Sequence, residues 1–241
     1  MNWPAARWDQ VGAISSAALR RADAEATSTF GIEPLQLMEV AGWQAARFVD
    51  AFMGGIRNKR VTVVAGSGNN GGDALVAARF LLQRGAIVDV SIVPSRDPNS
   101  LAGRQALTTR RLGISIADAP HAIGASADVL IDGLLGTGIR LPLREPAPAI
   151  IEAMNATGRP VVAIDVPSGM DADTGMGADA AVRAAATLTL VAPKAGLAGV
   201  SNAGRVFLAD IGMPVALFGA EGETLAALYQ VGDLVELVNS S

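Results

Sequence analysis

An apolar run that opens into a glycine-rich segment, Val61-Thr62-Val63-Val64-Ala65-Gly66-Ser67-Gly68-Asn69-Asn70-Gly71-Gly72-Asp73, is the point from which the chain is best read. Val61 to Ala65 are β-branched and small apolar residues between Arg60 and Gly66, the composition of a short strand buried inside a parallel sheet. The glycines that follow permit positive φ and let other atoms come close to the backbone, so this segment is expected to be a loop. Past Gly72 the pattern becomes helical. Asp73 lies near the first turn, Arg79 and Gln83 mark a polar face, and Gly85 is a C-terminal cap. The unit is strand, glycine loop, helix.

Gly66, Gly68 and Gly71 also fall in the three glycine positions of the dinucleotide-binding fingerprint, with Asp89 further on. Two details oppose the ordinary form of that site. Asp89 sits early in the run Ile87 to Val93, whereas a ribose-binding carboxylate ends its strand. Asp73 would place a carboxylate at the helix N-terminus that a pyrophosphate normally occupies. Asn69, Asn70 and Asp73 offer oxygens that suit hydroxyl groups, an amide or a hard cation.

The sequence has 241 residues, half of them apolar and 17% charged, with a net charge of −4. That supports a single α/β domain, residues 1–241, with a sheet covered on both faces. The acidic balance argues against nucleic acid and anionic membrane as partners, and favours a small-molecule substrate. With no cysteine in the chain, disulfides, thiolate catalysis and cysteine-ligated metals are excluded. Neither a signal-like N-terminus nor a long apolar span is expected, which points to the cytoplasm. His121, the single histidine, lies in a polar stretch and reads as a surface loop residue.

Helical spacing predicts one helix from Ser16 to about Thr27, with Arg20, Arg21, Asp23 and Glu25 as its solvent face. A second starts at Pro34 and carries Leu37, Met38, Ala41, Ala45, Phe48, Val49 and Phe52 inward. Two helices thus precede the first expected strand; they serve as core cover or as a contact with a second subunit. Beyond the glycine unit come a strand over Ile87 to Val93, a helix capped by Ser100 and closed by Gly113, and a strand near Asp128 to Asp132. The second glycine loop, Gly133 to Arg140, follows. After a helix to about Asn155, the run Val161 to Asp165 repeats the pattern of apolar strand and terminal aspartate. Asp132 and Asp165 therefore reach the rim where open parallel sheets place ligands. A strand from Ala184 to Val191 leads to Lys194, which either brings that rim a cation or stands exposed after Pro193. Val206 to Ala209 is expected to be the last strand, and the tail is mixed.

Taken together, Leu37-Met38-Glu39 with Ala41-Gly42, Gly68 to Asp73, Asp132 with Leu135 to Gly138, Ala163 to Gly169, and Ala192-Pro193-Lys194 resemble the YjeF N-terminal-domain family in order and kind. Its enzyme members are NAD(P)H-hydrate epimerases. Departures are mild: Ala74 stands where the family often has glycine, and Val40 where many members have asparagine. The resemblance implies a three-layer Rossmann-like sandwich with a mostly parallel sheet, epimerisation at C6 of hydrated NADH or NADPH (NADHX, NADPHX), and a bound potassium ion (K+). It places substrate on Asn69, Asn70, Gly71, Gly72 and Asp73, on Gly136, Thr137, Gly138, Ile139, Arg140, Leu141 and Pro142, and on Asp165. It places potassium on Asn70, Asp132 and Ser168. The family also occurs fused to a dehydratase domain, for which 241 residues leave no room, so a separate dehydratase is the expected partner. A homodimer is the possible assembly.

Asp165 is the expected general acid and base, with Lys194 stabilising its carboxylate or orienting water. Two rivals remain from the residues alone. A non-catalytic binding module of the same fold should lose the carboxylates, yet Asp73, Asp132 and Asp165 are all present. A nicotinamide dehydrogenase lacks a hydride-shuttling His or Tyr pairing, since the only tyrosine, Tyr229, lies in the tail.

Overall fold

The computed structural model describes residues 3–124, 126–177 and 180–239. The expectations that touch the two extreme ends, Met1, Asn2, Ser240 and Ser241, lie outside these. Among the described residues the elements in chain order are β1 (Ala5–Arg7), α1 (Ser16–Phe30), α2 (Pro34–Phe52), β2 (Arg60–Ala65), α3 (Asn69–Gln83), β3 (Ile87–Ile92), α4 (Leu101–Arg111), β4 (Ser115–Asp118) and β5 (Val129–Gly133). Then come α5 (Ala147–Ala156), β6 (Val161–Ile164), β7 (Ala186–Leu190), β8 (Arg205–Ala209), α6 (Gly219–Val231) and β9 (Leu234–Val238).

The strands form one sheet in the order β1-β9-β8-β7-β6-β5-β2-β3-β4. All neighbouring pairs are parallel except β8 with β9. From β2 the chain winds outward through β3 and β4, then returns to β5 and proceeds the other way. The switch point between β2 and β5 is where such sheets open a crevice at the carboxyl ends of their strands.

The alternation along each strand explains the layers. Val61, Val63, Val129, Ile131, Val162 and Ile164 belong to the larger core beneath α1, α2 and α3, while Val64, Leu130 and Val161 face Ile150, Ile151 and Met154 of α5. Both faces are thus covered, as the uninterrupted apolar runs require. At the helix ends, Ser15 Oγ accepts from Ala18 N and Ser100 Oγ from Gly103 N, and Gly31, Gly85 and Gly113 take positive φ beyond α1, α3 and α4.

Four expectations need correction. A strand, β1, precedes the two N-terminal helices, and it is only three residues long, too short for any periodicity to show. The edge strand β4 was absent from the sequence reading because its Ser115-Ile116-Ala117-Asp118 is half polar. β8 is not the last strand: the tail folds into α6 and β9, which seats between β8 and β1. Finally, α3 begins at Asn69, so Asn69 to Gly72 form its first turn and Asp73 sits beyond that turn, inside the helix.

Candidate active site

β6 and β7 end side by side, and each ends in a tight turn at a non-glycine residue of positive φ. Asp165 has φ 69°, with Val166 N–H bonded to the Ile164 carbonyl at 2.9 Å; Val191 has φ 67°, with Ala192 N–H bonded to the Leu190 carbonyl at 2.7 Å. Such conformations cost about 1–3 kcal/mol each and collect at functional sites. They turn the Asp165 side chain and the Val191–Lys194 segment towards one another.

The Lys194 ammonium lies 2.6 Å from Asp165 Oδ1, the two side chains being 1% and 15% exposed. It also donates to Thr189 Oγ1 and to the Leu190 carbonyl, both at 2.9 Å. With a longer bond to the Ala192 carbonyl at 3.4 Å and the Asp165 charge beside it, the ammonium has the partners a buried cation needs. The exposed-lysine alternative is excluded. Asp165 Oδ1 further accepts from Leu190 N–H at 3.3 Å, whereas Oδ2 accepts no hydrogen bond among the described residues. A Cβ at Gly136 would lie 3.7 Å from that free oxygen.

Asp132, at the end of β5, is fully buried and meets Ser168 from the β6 loop. Ser168 Oγ donates to Asp132 Oδ1 at 2.6 Å and Ser168 N–H to Oδ2 at 2.8 Å, while Leu134 N–H reaches Oδ1 at 3.1 Å. Burial raises the Asp132 carboxyl to about 6 despite those hydrogen bonds. Asn70 Nδ2 donates to the Leu135 carbonyl at 2.7 Å, which leaves Asn70 Oδ1 buried with no partner. That orphaned oxygen, a spare carboxylate lone pair on Asp132 and one on the Ser168 hydroxyl, itself bonded by Leu135 N–H at 2.8 Å, form a donor set that fits a hard cation.

Within the glycine segment the structure separates two roles. A Cβ on Gly66 would lie 1.9 Å from the Leu134 carbonyl oxygen, one on Gly71 1.9 Å from the Gly66 carbonyl oxygen, and one on Gly72 2.4 Å from Met38 Cε. In the direction a side chain would take, these glycines admit the protein's own atoms. A Cβ on Gly68, by contrast, would meet open space. Asp73 is 8% exposed, and burial, then the charges of Asp165 and Asp23, push its carboxyl well above the usual carboxylate range.

A cavity of about 530 Å³ opens at the switch point. Its wall includes Asn69, Asn70, Asp73, Gly136, Thr137, Gly138, Ile139, Asp165 and Lys194, all expected from the sequence. Arg140, Leu141 and Pro142 lie outside that wall, as do Gly71 and Gly72, and Asp132 and Ser168 are sealed beneath the floor. The other side is built by residues the sequence reading missed, Leu19, Arg20 and Asp23 of α1 with Met38 and Ala41 of α2. Arg20 and Asp23 were assigned to a solvent face. They do face water, but the water of the cavity mouth, and polar periodicity does not tell one from the other. Burial and then the charge of Asp165 raise the Asp23 carboxyl, with Lys194 opposing. His121 is an exposed loop residue, and Asp89 lies within β3 near Arg60, away from the cavity.

A model of the family described as YjeF-related protein N-terminus matches residues 34–196. The chain belongs to the YjeF N-terminal family. Among curated relatives, the NAD(P)H-hydrate epimerase of Rhodopirellula baltica is 34% identical over 218 residues, which cover 86% of this chain and 87% of that protein. The bifunctional NAD(P)H-hydrate repair enzyme Nnr of Salinibacter ruber is 37% identical over 240 residues, covering 91% of this chain and 44% of the relative. The chain therefore spans less than half the length of that bifunctional relative. The crystal structure of yeast ynu0, YNL200c, superposes with a TM-score of 0.75 at 25% identity, over 83% of this chain and 88% of that one. In this YjeF N-terminal member the family match contains Asn69 to Asp73, Asp132, Asp165, Ser168 and Lys194, whereas Leu19, Arg20, Asp23 and α6 fall outside it.

Proposed function

We propose that the chain is an NAD(P)H-hydrate epimerase, interconverting the R and S epimers of hydrated NADH or NADPH at C6. The observation that carries this is the Asp165–Lys194 contact of 2.6 Å at the floor of the cavity, with Asp165 Oδ2 left free. Inverting a carbon that bears both a ring nitrogen and a hydroxyl needs the C–O bond to break and re-form. A proton taken up from solvent and passed on by the Asp165 carboxyl goes to the C6 hydroxyl, which leaves as water as the ring nitrogen's electron pair forms an iminium. The resulting carboxylate is stabilised by Lys194. Water then adds to the opposite face of the ring and loses a proton to Asp165, which returns it to solvent and is again the carboxylate paired with Lys194. Because the carboxyl stands at the end of a strand in a strained turn, its position does not depend on a mobile loop.

Asn69, Asn70, Asp73 and the Gly136–Ile139 segment line the space in which the substrate would sit. In this reading Asn70, Asp132 and Ser168 hold potassium, which would supply a positive charge to offset the carboxylates near the loop. A dehydratase that consumes the S epimer is the implied pathway partner. No helix among the described residues is long and apolar enough to cross a membrane, in keeping with a cytoplasmic location. A homodimer through the helices ahead of β2, where Val40 and Trp43 are 37% exposed, is testable by sedimentation. A binding module without catalysis would have no use for a buried lysine paired to a strained aspartate.

The direct test is incubation of the isolated R epimer with the protein and potassium, followed by chromatography of the products. Appearance of the S epimer at a rate set by enzyme concentration is expected. Its absence would remove the epimerase reading.

A further inference from the structure

Tyr229 stands on α6, beyond the family-matched segment, on an element anchored to the core through Leu225 and Leu228. Its hydroxyl donates to the carbonyl oxygen of Val191. Burial pushes the phenol far above its ordinary range, so the proton is available for that bond at any working pH. Val191 is the β-branched residue with φ 67°, a conformation that its own side chain opposes.

The turn so held contacts both members of the pair. Leu190 N–H donates to Asp165 Oδ1 at 3.3 Å, and the Leu190 carbonyl accepts from Lys194 Nζ at 2.9 Å. The same segment is also held by Ile14, two residues ahead of α1, whose N–H donates to the Pro193 carbonyl at 2.9 Å. We propose that Tyr229 is a positioning residue for catalysis: by holding the Val191 carbonyl it keeps residues 190–192 in the strained turn that fixes Asp165 against Lys194. This rests on the epimerase reading, and it extends the working site to a helix that touches neither substrate nor the reacting atoms.

The experiment compares Tyr229→Phe, Val191→Gly, the double variant and a packing control on α5, Met154→Ala, for kcat and KM with the R epimer. Tyr229→Phe keeps the ring and removes the donor. It should lower kcat roughly tenfold or more while KM stays within about twofold, as for a misplaced catalytic group. Glycine adopts positive φ without strain, so in the Val191→Gly background the loss caused by Tyr229→Phe should shrink to about threefold or less. Met154→Ala should leave kcat within about twofold of the parent. Unchanged kcat in Tyr229→Phe, an equal loss in both backgrounds, an equal loss in Met154→Ala, or a Tyr229→Phe protein that does not fold would each overturn the proposal. If the parent itself does not epimerise, it is the reading of the function that fails. Amide hydrogen exchange at Ala192 then decides the clamp: faster exchange in Tyr229→Phe supports it, and unchanged exchange overturns it.

Discussion

Lys194 and Asp165 come from just beyond the ends of adjacent strands, 29 positions apart in sequence, yet their charged atoms meet at 2.6 Å with Lys194 only 1% exposed. A lysine of this kind cannot be left without its partner. Replacing it by Met would strand the Asp165 carboxylate, and removing one member of a buried pair typically costs about 3–5 kcal/mol. Lys194→Met should therefore show a large loss of stability in urea unfolding. Adding Asp165→Asn should recover part of it, because the stranded charge is then gone. No recovery would mean that Lys194 acts through packing alone.

Potassium should raise the melting temperature of the parent relative to an equal concentration of choline, since a ligand held only by the folded state stabilises by mass action. Asp132→Ala should abolish that difference. Asp132's folded value near 6 lies above the ordinary 3.8, so its stabilising contribution is complete below about 3.8 and lost as pH rises through about 6. A cation that favours the carboxylate should thus stabilise more at pH 7.5 than at pH 5. Equal gains at the two pH values, or an unchanged response in Asp132→Ala, would reject the site.

Asp73 is raised above its unfolded value by burial and by neighbouring carboxylates. The sign is the same as for Asp132: protonation stabilises the fold, and that contribution fades as pH climbs through the folded value. Asn cannot ionise, so Asp73→Asn should gain stability on the parent progressively towards alkaline pH, as read from unfolding free energies between pH 5 and pH 9. A constant gap across that range would contradict the account.

Gly71 tests whether the glycine segment serves the fold. A Cβ there would fall 1.9 Å from the Gly66 carbonyl oxygen, a backbone atom with no rotamer by which to yield. Gly71→Ala should cost about 1–3 kcal/mol or more of stability, the range for overpacking. Loss of substrate affinity with full stability would restore the ligand-facing role.

The parts of the fold and site that the sequence made legible share one cause. β2, β5 and β6 are continuous apolar runs, and their terminal residues Asp132 and Asp165 are polar interruptions at a fixed place, so local pattern alone puts them on the ligand rim. What was not legible depends on contacts between distant segments. Lys194 looks the same whether solvated or buried until Thr189, Leu190 and Asp165 are brought around it. That Gly71 gives clearance to Gly66 shows only once the two are brought together. Arg20 and Asp23 sit on a polar helix face whose neighbour, the cavity, has no sequence signature. α6 and β9 lie in a tail of mixed composition, so Tyr229 came without any hint of what it would reach.

The central claim, that one carboxyl group carries the proton in both halves of the epimerisation, is tested most directly by Asp165→Asn. The substitution keeps the shape and removes the exchangeable proton. With the R epimer and potassium, turnover should fall by roughly 10²-fold or more while affinity for the hydrated cofactor stays close to that of the parent. Retained turnover would contradict the account and move the acid–base role to Asp73, and lost affinity with normal turnover at saturation would reduce Asp165 to a residue that only positions the substrate.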